Sequence, residues 1–248
     1  MLRGMYNAAS GLNQKQRELE VAGHNIANVS TTGFKSSRLN SGSFPVVLLS
    51  RLQPGKEPAS IGQTSYGTQT VVQVTRFDQG PLESTGSPMD VALMGDGFLV
   101  VDTANGERYF RGGTLYIDSE GYLATVTGDK VLGDDGPIEV PTGKMTISPD
   151  GGISVDEQAV GKLQIVEFAE KDKLVREGHG YFSAEGTRPD VATATVVQQG
   201  YLEASNVDLP GEMTRLIEGL RAYQLNQRAL RTQDEMLSKA VNQVGKVR

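Results

Sequence analysis

The chain carries a regular apolar stripe at each end, and between the stripes it reads as short strands and turns. Steps of three and four residues return to apolar side chains over residues 2–26 and again over residues 209–248. A stripe that persists over several heptads predicts an amphipathic helix that packs against a partner helix. We call these stripes the terminal seams and predict that they form an assembly interface. Their predicted members are Leu2, Met5, Leu12, Leu19, Ile26, Met213, Leu216, Leu220, Tyr223, Leu230, Leu237 and Val241.

The two predicted helices have recognisable boundaries. The first runs from about Leu2 to about Val29 and ends in a turn-forming stretch, residues 30–33. The last begins after Asp208, a good N-cap residue, and Pro210 falls in its first turn, where a missing N–H costs little. About 36 residues of helix span about 54 Å.

Polar and small residues interrupt both seams. Gln16 and Gln227 stand where an apolar residue would add stability. A buried amide in a seam fixes helix register, whereas an exposed amide is only an interruption, and the sequence leaves both interpretations open. The small residues at 8–11 would either allow another backbone to approach the first helix closely or mark a weakly helical stretch.

The middle of the chain predicts a β-rich body. Residues 34–69 are punctuated by Pro and Gly and hold no period, which indicates an extended connector or an irregular packed arm. From residue 70, short apolar runs alternate with Asp-Gly, Asn-Gly and Gly-Gly turns, and residues 124–132 form a hairpin candidate around Gly128-Asp129. The predicted fold class is α+β, with long N- and C-terminal helices in a coiled-coil domain and a central, mostly antiparallel body. The predicted divisions are 1–33 (helix), 34–69 (connector), 70–207 (body) and 208–248 (helix).

The charge pattern argues against nucleic-acid binding. The formal net charge is −6, yet residues 1–40 carry five Lys/Arg against two Asp/Glu, and residues 209–248 carry seven against four. Residues 41–208 therefore carry a net of −12, since each end contributes +3 to the total of −6. Such sparse basic charge lacks the dense basic patch of a nucleic-acid protein. No apolar run reaches the length of a membrane span, and the polar-interrupted first helix is unlike a cleavable signal peptide.

The sequence contains few residues or motifs that would indicate a metal site, a cofactor site or a catalytic site. The two histidines, His24 and His179, are far apart in sequence, and Cys is absent, which argues against thiolate or histidine metal sites. Dinucleotide, phosphate-loop and serine-nucleophile motifs are also absent. The pairs Asp135-Gly136 and Asp150-Gly151 favour turns over calcium ligation, because neither has the spacing of a calcium loop. We expect no enzymatic activity, no cofactor, no metal and no small-molecule substrate.

Three stretches resemble the flagellar rod and hook protein family of bacteria. Residues 25–35 are similar to its N-terminal signature, residues 200–207 with 221–226 and 234–237 to its C-terminal signature, and residues 89–101 with 121–123 and 131–133 to its β domain. The residues that match the signatures most directly are Asn25, Ala27, Asn28, Gly33, Phe34, Ser205 and Asn206. The size and single body resemble the rod members of the FlgF/FlgG kind, and residues 136–141 with 160–163 lean toward the proximal-rod member.

The resemblance implies a structural protein of the basal-body rod, outside the cytoplasmic membrane. Such proteins are exported through the flagellar export apparatus without a cleaved signal. They assemble with copies of themselves and with other rod and hook proteins into a hollow, torque-transmitting helical shaft. In such a shaft the terminal helices line the tube and the body lies outside.

Two other classes remain compatible with the residues alone. A coiled-coil oligomer could display the β bodies as a binding module, and its fixed small size would distinguish it from a growing filament. A β-rich enzyme with helical arms would need a pocket with converging titratable groups, and the sequence supplies no such constellation.

Overall fold

The computed structural model describes residues 2–43, 47–51, 59–64, 67–192 and 194–244. The chain forms two units, each built from separate stretches of sequence. Unit 1 comprises the described residues within Met1–Ala27, Ser37–Val74 and Asp208–Arg248, and unit 2 comprises those within Asn28–Ser36 and Thr75–Val207. Long terminal helices and a large antiparallel β-rich unit make the fold α+β, as predicted.

Unit 1 contains the two helices and the first four strands. Its elements are α1 (Leu2–Ala27), β1 (Ser37–Ser43), β2 (Val47–Arg51), β3 (Ala59–Thr64), β4 (Thr68–Thr75) and α2 (Leu209–Val244). β1 pairs with β4, and β2 pairs antiparallel with β3. Among the described residues, no helix is both long enough and apolar enough to cross a membrane.

The helix boundaries agree closely with the predicted ones. α2 follows Asp208 directly, and the Asp208 carbonyl oxygen accepts the Glu212 N–H at 2.9 Å. A methyl group on Gly211 would lie 2.3 Å from Asp208 Oδ2, so the missing side chain at 211 makes room for the Asp208 carboxylate over the first turn. α1 ends at Ala27, two residues before the predicted end, where the Thr31 N–H bonds to the Asn28 carbonyl and starts a turn.

The segment 34–69, predicted to be an extended connector or an irregular packed arm, contains paired strands in its described part. These strands are β1, β2, β3 and the start of β4, and most of the described segment belongs to unit 1. Its strands were not predicted because buried and exposed side chains do not alternate along them. β2 and β3 expose most of their residues, including the apolar Leu48 and Ile61. A two-stranded sheet of this kind forms only because each strand has a partner to pair with, and the local sequence pattern does not identify that partner.

Unit 2 contains seventeen further strands in its described residues. They are β5 (Leu82–Ser84), β6 (Asp90–Met94), β7 (Phe98–Thr103), β8 (Gly106–Phe110), β9 (Gly112–Ile117), β10 (Leu123–Thr125), β11 (Lys130–Gly133), β12 (Gly136–Pro137), β13 (Met145–Ile147), β14 (Gly152–Val155), β15 (Gln158–Lys162), β16 (Ile165–Glu167), β17 (Leu174–Arg176), β18 (Phe182–Ala184), β19 (Asp190–Val191), β20 (Val196–Gln199) and β21 (Tyr201–Glu203). Two short 3-10 helices cover Lys171–Lys173 and Gly178–Gly180.

A twelve-stranded sheet forms most of unit 2. Its main path runs β17-β18-β8-β7-β11-β10-β9-β6-β20, with β12 on β11, β16 on β7, and β19 on β16. β13-β14-β15 form a separate antiparallel sheet, and β21 pairs with β5. β7 is buried on both faces, because Leu99 and Val101 enter one apolar cluster whereas Phe98 and Val100 enter a second, aromatic one.

The predicted hairpin at Gly128-Asp129 exists with a longer loop. β10 ends at Thr125 and β11 begins at Lys130, so the loop has four residues where the pattern suggested two. A turn from the Thr125 carbonyl to the Gly128 N–H shapes it, and Gly128 adopts a φ of 89°, which favours glycine. The Tyr181 hydroxyl holds the loop by hydrogen bonds to Thr125, Thr127 and Asp129.

Candidate functional site

The two terminal helices pack against each other, antiparallel, within unit 1. A methyl group on Gly4 would lie 2.5 Å from Gln233, one on Gly11 3.0 Å from Asn226, and one on Gly219 2.9 Å from Leu19. As the position on α1 rises from 4 to 19, the position opposite on α2 falls from 233 to 219. The helices approach closely because glycine occupies one side of each of these contacts.

On the face of α2 that packs against α1, the same types of side chain recur every seven residues. The least exposed positions of this face include one series of large side chains and one series of polar or small ones. The first set is Leu216, Tyr223, Leu230 and Leu237, all predicted seam members, and the second is Glu212, Gly219, Asn226 and Gln233. The face therefore alternates large and polar or small residues, whereas a coiled-coil core is apolar at both positions.

The remaining predicted seam members of α2 point elsewhere. Met213, Leu220 and Val241 are exposed, with 52%, 44% and 70% of their surface accessible. Met213 and Leu220 share one side of the helix with Ile217, which is 51% exposed, because the three are spaced by four and three residues. We call Met213, Ile217 and Leu220 the outer stripe.

On α1 the most buried positions also differ from the predicted seam. Ala8 and Ala22 are buried, whereas Ala9 and Gln16, which the same three- and four-residue steps reach, are exposed. Met5, Leu12, Leu19 and Ile26 are half-buried, and the side chain of Leu2 lies outside the described residues. The Gln16 amide bonds to Glu20 on its own helix at 3.1 Å, so it is a solvated interruption, whereas Gln227 is half-buried. The expected close approach at residues 8–11 is present, since Ser10 Oγ accepts the Thr68 backbone N–H at 3.3 Å.

A cavity of about 390 Å³ lies in unit 1 between α1, β1 and α2. Four of its six charged lining residues form two ion pairs: Lys15 with Glu18 at 2.6 Å, and Arg215 with Glu212 at 2.5 Å. The described residues contain no group of three or more His, Asp or Glu side chains arranged to hold a metal ion.

The Asp-Gly pairs at 135–136 and 150–151 occupy turns, as predicted: Gly133 pairs with Gly136, and Gly151 N–H bonds to the Ser148 carbonyl.

The predicted family-motif residues separate into the two units. In unit 1, Asn25 is buried at the end of α1 and forms two hydrogen bonds with the backbone of Ser37: Nδ2 donates to the carbonyl at 2.9 Å, and Oδ1 accepts the N–H at 3.0 Å. Ala27 ends α1, and Asn28, which belongs to unit 2, begins the turn that follows. Because an amide matches both backbone groups of one residue, Asn25 fixes where β1 begins relative to α1.

The other motif residues meet in unit 2, where residues 33–36, 76–80 and 203–206 lie together. We call these segments, with Arg111 and Arg176, the terminal-motif cluster. Gly33 N–H donates to the Glu203 carbonyl at 2.7 Å, and Asn206 N–H donates to the Phe34 carbonyl at 3.3 Å. Gly33 adopts a φ of 67°, which explains why glycine suits this position. Ser205 is buried beside them, and its Oγ accepts the Val207 N–H.

Asn206 connects all three segments of the terminal-motif cluster. Its Oδ1 accepts the Ser36 N–H at 2.6 Å, and its Nδ2 donates to the carbonyls of Arg76 and Asp78, both at 2.9 Å. A side-chain amide can do this because it carries a carbonyl acceptor and two N–H donors on one neutral group.

Three buried charges lie at the centre of the cluster. Lys35 is 0% exposed, Glu203 2% and Arg111 3%. Lys35 Nζ donates to Glu203 Oε1 at 2.6 Å, and Arg111 Nε lies 3.5 Å from Glu203 Oε2. Burial lowers the pKa of Lys35, and the nearby Arg111 lowers it further, whereas Glu203 opposes both effects.

Phe34 is held by a cation. The Arg176 guanidinium lies 4.4 Å from the centre of the Phe34 ring and 5.6 Å from that of Phe182, and Arg176 Nη2 donates to the Lys35 carbonyl. Lys35 and Glu203 lie inside the two signature stretches, residues 25–35 and 200–207, but the sequence did not predict a role for them, nor for Arg111 and Arg176. The only local signal for the first two was their position in the signatures, because burial of a charge depends on distant partners.

Comparison with known proteins matches family models to both ends and to the middle of the chain. A family model described as flagella basal body rod protein matches residues 5–35, and one described as flagellar basal body rod FlgEFG protein C-terminal matches residues 198–244. The model for the flagellar hook protein FlgE/F/G D1 domain matches residues 92–155. The matched ends include both groups of motif residues.

Curated relatives match over nearly the full chain. The flagellar basal-body rod protein FlgG of Bacillus subtilis is 34% identical, over 98% of this chain and 99% of the relative. The flagellar hook-basal body complex protein FlhO of the same organism is 32% identical over all of both chains, and the basal-body rod protein FlgF of Caulobacter vibrioides is 34% identical over 94% of each. With close to full coverage at this identity, the chain belongs to the flagellar basal-body rod protein family, whose members are structural components of the rod.

Proposed function

We propose that this chain assembles with copies of itself, and with other rod and hook proteins, into the hollow helical shaft of the basal body, and that it reaches the assembly site through the flagellar export apparatus. The observation that carries the proposal is the outer stripe of α2. Covering these half-exposed side chains would stabilise a contact by roughly 1 kcal/mol each, since burial is favourable by about 25 cal/mol per Å².

The packing of α1 on α2 supports the same conclusion. Four heptad positions on the inner face of α2 are polar or small, while the outer stripe is apolar. A helical hairpin that was complete in itself would place its apolar residues on the inner face. Because half of the heptad positions on the inner face are not apolar while the outer stripe stays exposed, we expect a second helical surface, supplied by a neighbouring subunit, to cover the outer stripe.

The charge pattern favours a head-to-tail contact. Residues 41–208 carry the net negative charge and both ends carry net positive charge. A contact between unlike surfaces of two copies produces a helical filament wherever its rotation does not close a ring. In the proposed shaft the rod protein transmits torque through packed helices and performs no chemistry.

The test is Leu220→Asp. The side chain is 44% exposed in the single chain, so we expect the circular dichroism spectrum and thermal midpoint of the dilute protein to stay unchanged. Assembly should fail, because a carboxylate buried without a partner is strongly unfavourable. Gln158→Asp, at an exposed position of β15 in unit 2, adds the same charge away from α2 and serves as the matched control.

Two measurements in the cell distinguish export of the protein from its incorporation into the rod. Secretion of each variant into the medium reports export, and rod assembly with swimming reports incorporation. We expect Leu220→Asp to be secreted but not incorporated, and Gln158→Asp to swim normally. Working rods built from Leu220→Asp subunits, or a closed oligomer of fixed small size for the wild type at rising concentration, would overturn the proposal.

A further inference from the structure

The buried charges of the terminal-motif cluster do not balance. Glu203 is the single carboxylate between two cations, Lys35 at 2.6 Å and Arg111 at 3.5 Å. All three side chains are almost completely removed from water. The desolvation of such charges is offset only when every partner is in place with good geometry.

Backbone groups fix each charge in one position. Lys35 Nζ also donates to the Asp78 carbonyl at 2.9 Å, and Glu203 Oε1 also accepts the Gly80 N–H at 2.8 Å. Arg111 donates to the carbonyls of Gly95 and Gly97 at 2.6 and 2.5 Å. Because the loop between β6 and β7 holds Arg111 in place, its guanidinium is a fixed positive charge beside Glu203.

The carboxylate and the lysine come from opposite ends of the chain. Lys35 is the last residue of the N-terminal signature, Glu203 lies in the C-terminal one, and 168 residues separate them. Without Glu203 in place, docking residues 33–36 would bury an ammonium group near an unpaired guanidinium. The N-terminal segment is therefore strongly disfavoured in its docked position until the C-terminal segment is present.

We propose that the Lys35–Glu203–Arg111 group makes docking of residues 33–36 conditional on docking of residues 203–206, so that both terminal motifs become ordered together on unit 2. A chain that has not yet supplied Glu203 leaves its N-terminal motif undocked. This coupling is a property of the single chain, so its test on dilute protein is independent of whether assembly occurs.

The charge count predicts an asymmetry between two substitutions. Glu203→Gln leaves two buried cations without a counter-charge and should release both segments. Lys35→Met leaves Arg111 and Glu203 as a neutral pair, and a methionine fills much of the space of the lysine stem. We therefore expect Lys35→Met to act in the same direction but far more weakly.

Amide hydrogen exchange on the dilute full-length chain tests the coupling. The Phe34 N–H bonds to the Thr31 carbonyl and reports the N-terminal segment, while the Ala204 N–H bonds to the Pro81 carbonyl and reports the C-terminal one. Neither bond involves a substituted side chain or the other motif. We expect Glu203→Gln to accelerate exchange at Phe34 on the order of 100-fold, because breaking a buried ion pair strongly destabilises the docked state. Lys35→Met should accelerate exchange at Ala204 by about two- to tenfold, which corresponds to the loss of a single hydrogen bond.

Two controls make the outcome decisive. Lys130→Met removes an exposed pair with Glu120 in the same unit and should leave both amides unchanged. The amides of β14 should also stay protected in every variant. The proposal is overturned if Phe34 exchange is unchanged in Glu203→Gln, or if β14 accelerates by the same factor as Phe34. If Glu203→Gln does not fold, Lys35→Met decides alone, and unchanged exchange at Ala204 overturns the proposal.

Discussion

Asn206 offers the sharpest test of how the terminal motifs are held. Its side chain makes three hydrogen bonds to backbone groups, with Ser36, Arg76 and Asp78, at 2.6, 2.9 and 2.9 Å. A typical hydrogen bond contributes about 1 kcal/mol net, so three give about 3 kcal/mol. The carbonyls of Arg76 and Asp78 lie near solvent and can regain water, which reduces the expected cost of Asn206→Ala to about 2 kcal/mol.

The assay is equilibrium unfolding in urea of the dilute full-length chain. Tyrosine fluorescence and circular dichroism serve as probes, since the sequence has no Trp. Asn105→Ala, in the exposed turn between β7 and β8, is the matched control and should change stability by less than about 0.5 kcal/mol. Asn206→Asp keeps an acceptor for Ser36 but loses both donors, so it should be at least as unstable as Asn206→Ala at neutral pH. An Asn206→Ala variant as stable as the control would refute the assignment of Asn206 as the connecting residue.

Two further predictions concern unit 2. Glu157 adopts a φ of 68° in the exposed β14–β15 turn, so Glu157→Gly should raise the free energy of unfolding by about 0.5 to 1 kcal/mol, and a lowered thermal midpoint would contradict this reasoning. Tyr181 is buried with its hydroxyl bonded to Thr125, Thr127 and Asp129, so Tyr181→Phe should cost about 1 to 2 kcal/mol in urea unfolding. Burial also raises the pKa of Tyr181, so above the ordinary value of 10.0 the unfolded chain loses its phenol proton first and stability falls as pH rises. This alkaline fall should be smaller in Tyr181→Phe, and an unchanged pH profile would argue against the buried, protonated phenol.

The pattern of the sequence was sufficient for the elements with strong local signals. The three- and four-residue stepping predicted both helices, and Asp208 with Pro210 predicted the start of α2, because caps and periodicity act over a few residues. The Asp-Gly and Asn-Gly pairs predicted turns for a similarly local reason. Segment 34–69 lacked such a signal, so its strands became visible only with their pairing partners.

Apolar periodicity alone did not predict which face of each terminal helix packs against the other helix. Gly4, Gly11 and Gly219 bring the two backbones together, so the inner faces include small and polar residues, and Met213 and Leu220 remain outside. A pattern of apolar residues locates a stripe, but it does not state whether the stripe meets the same chain or a neighbour.

By itself the sequence determined that this chain is α+β, with two terminal amphipathic helices, a turn-rich β body and the signatures of the flagellar basal-body rod family. These features depend on neighbours in sequence or on motifs read in order. Only the tertiary structure decided that Lys35 and Glu203 form a buried pair and that Asn206 connects three segments. The physical reason is that burial of a charge depends on groups up to 168 residues away, and no local pattern encodes their positions.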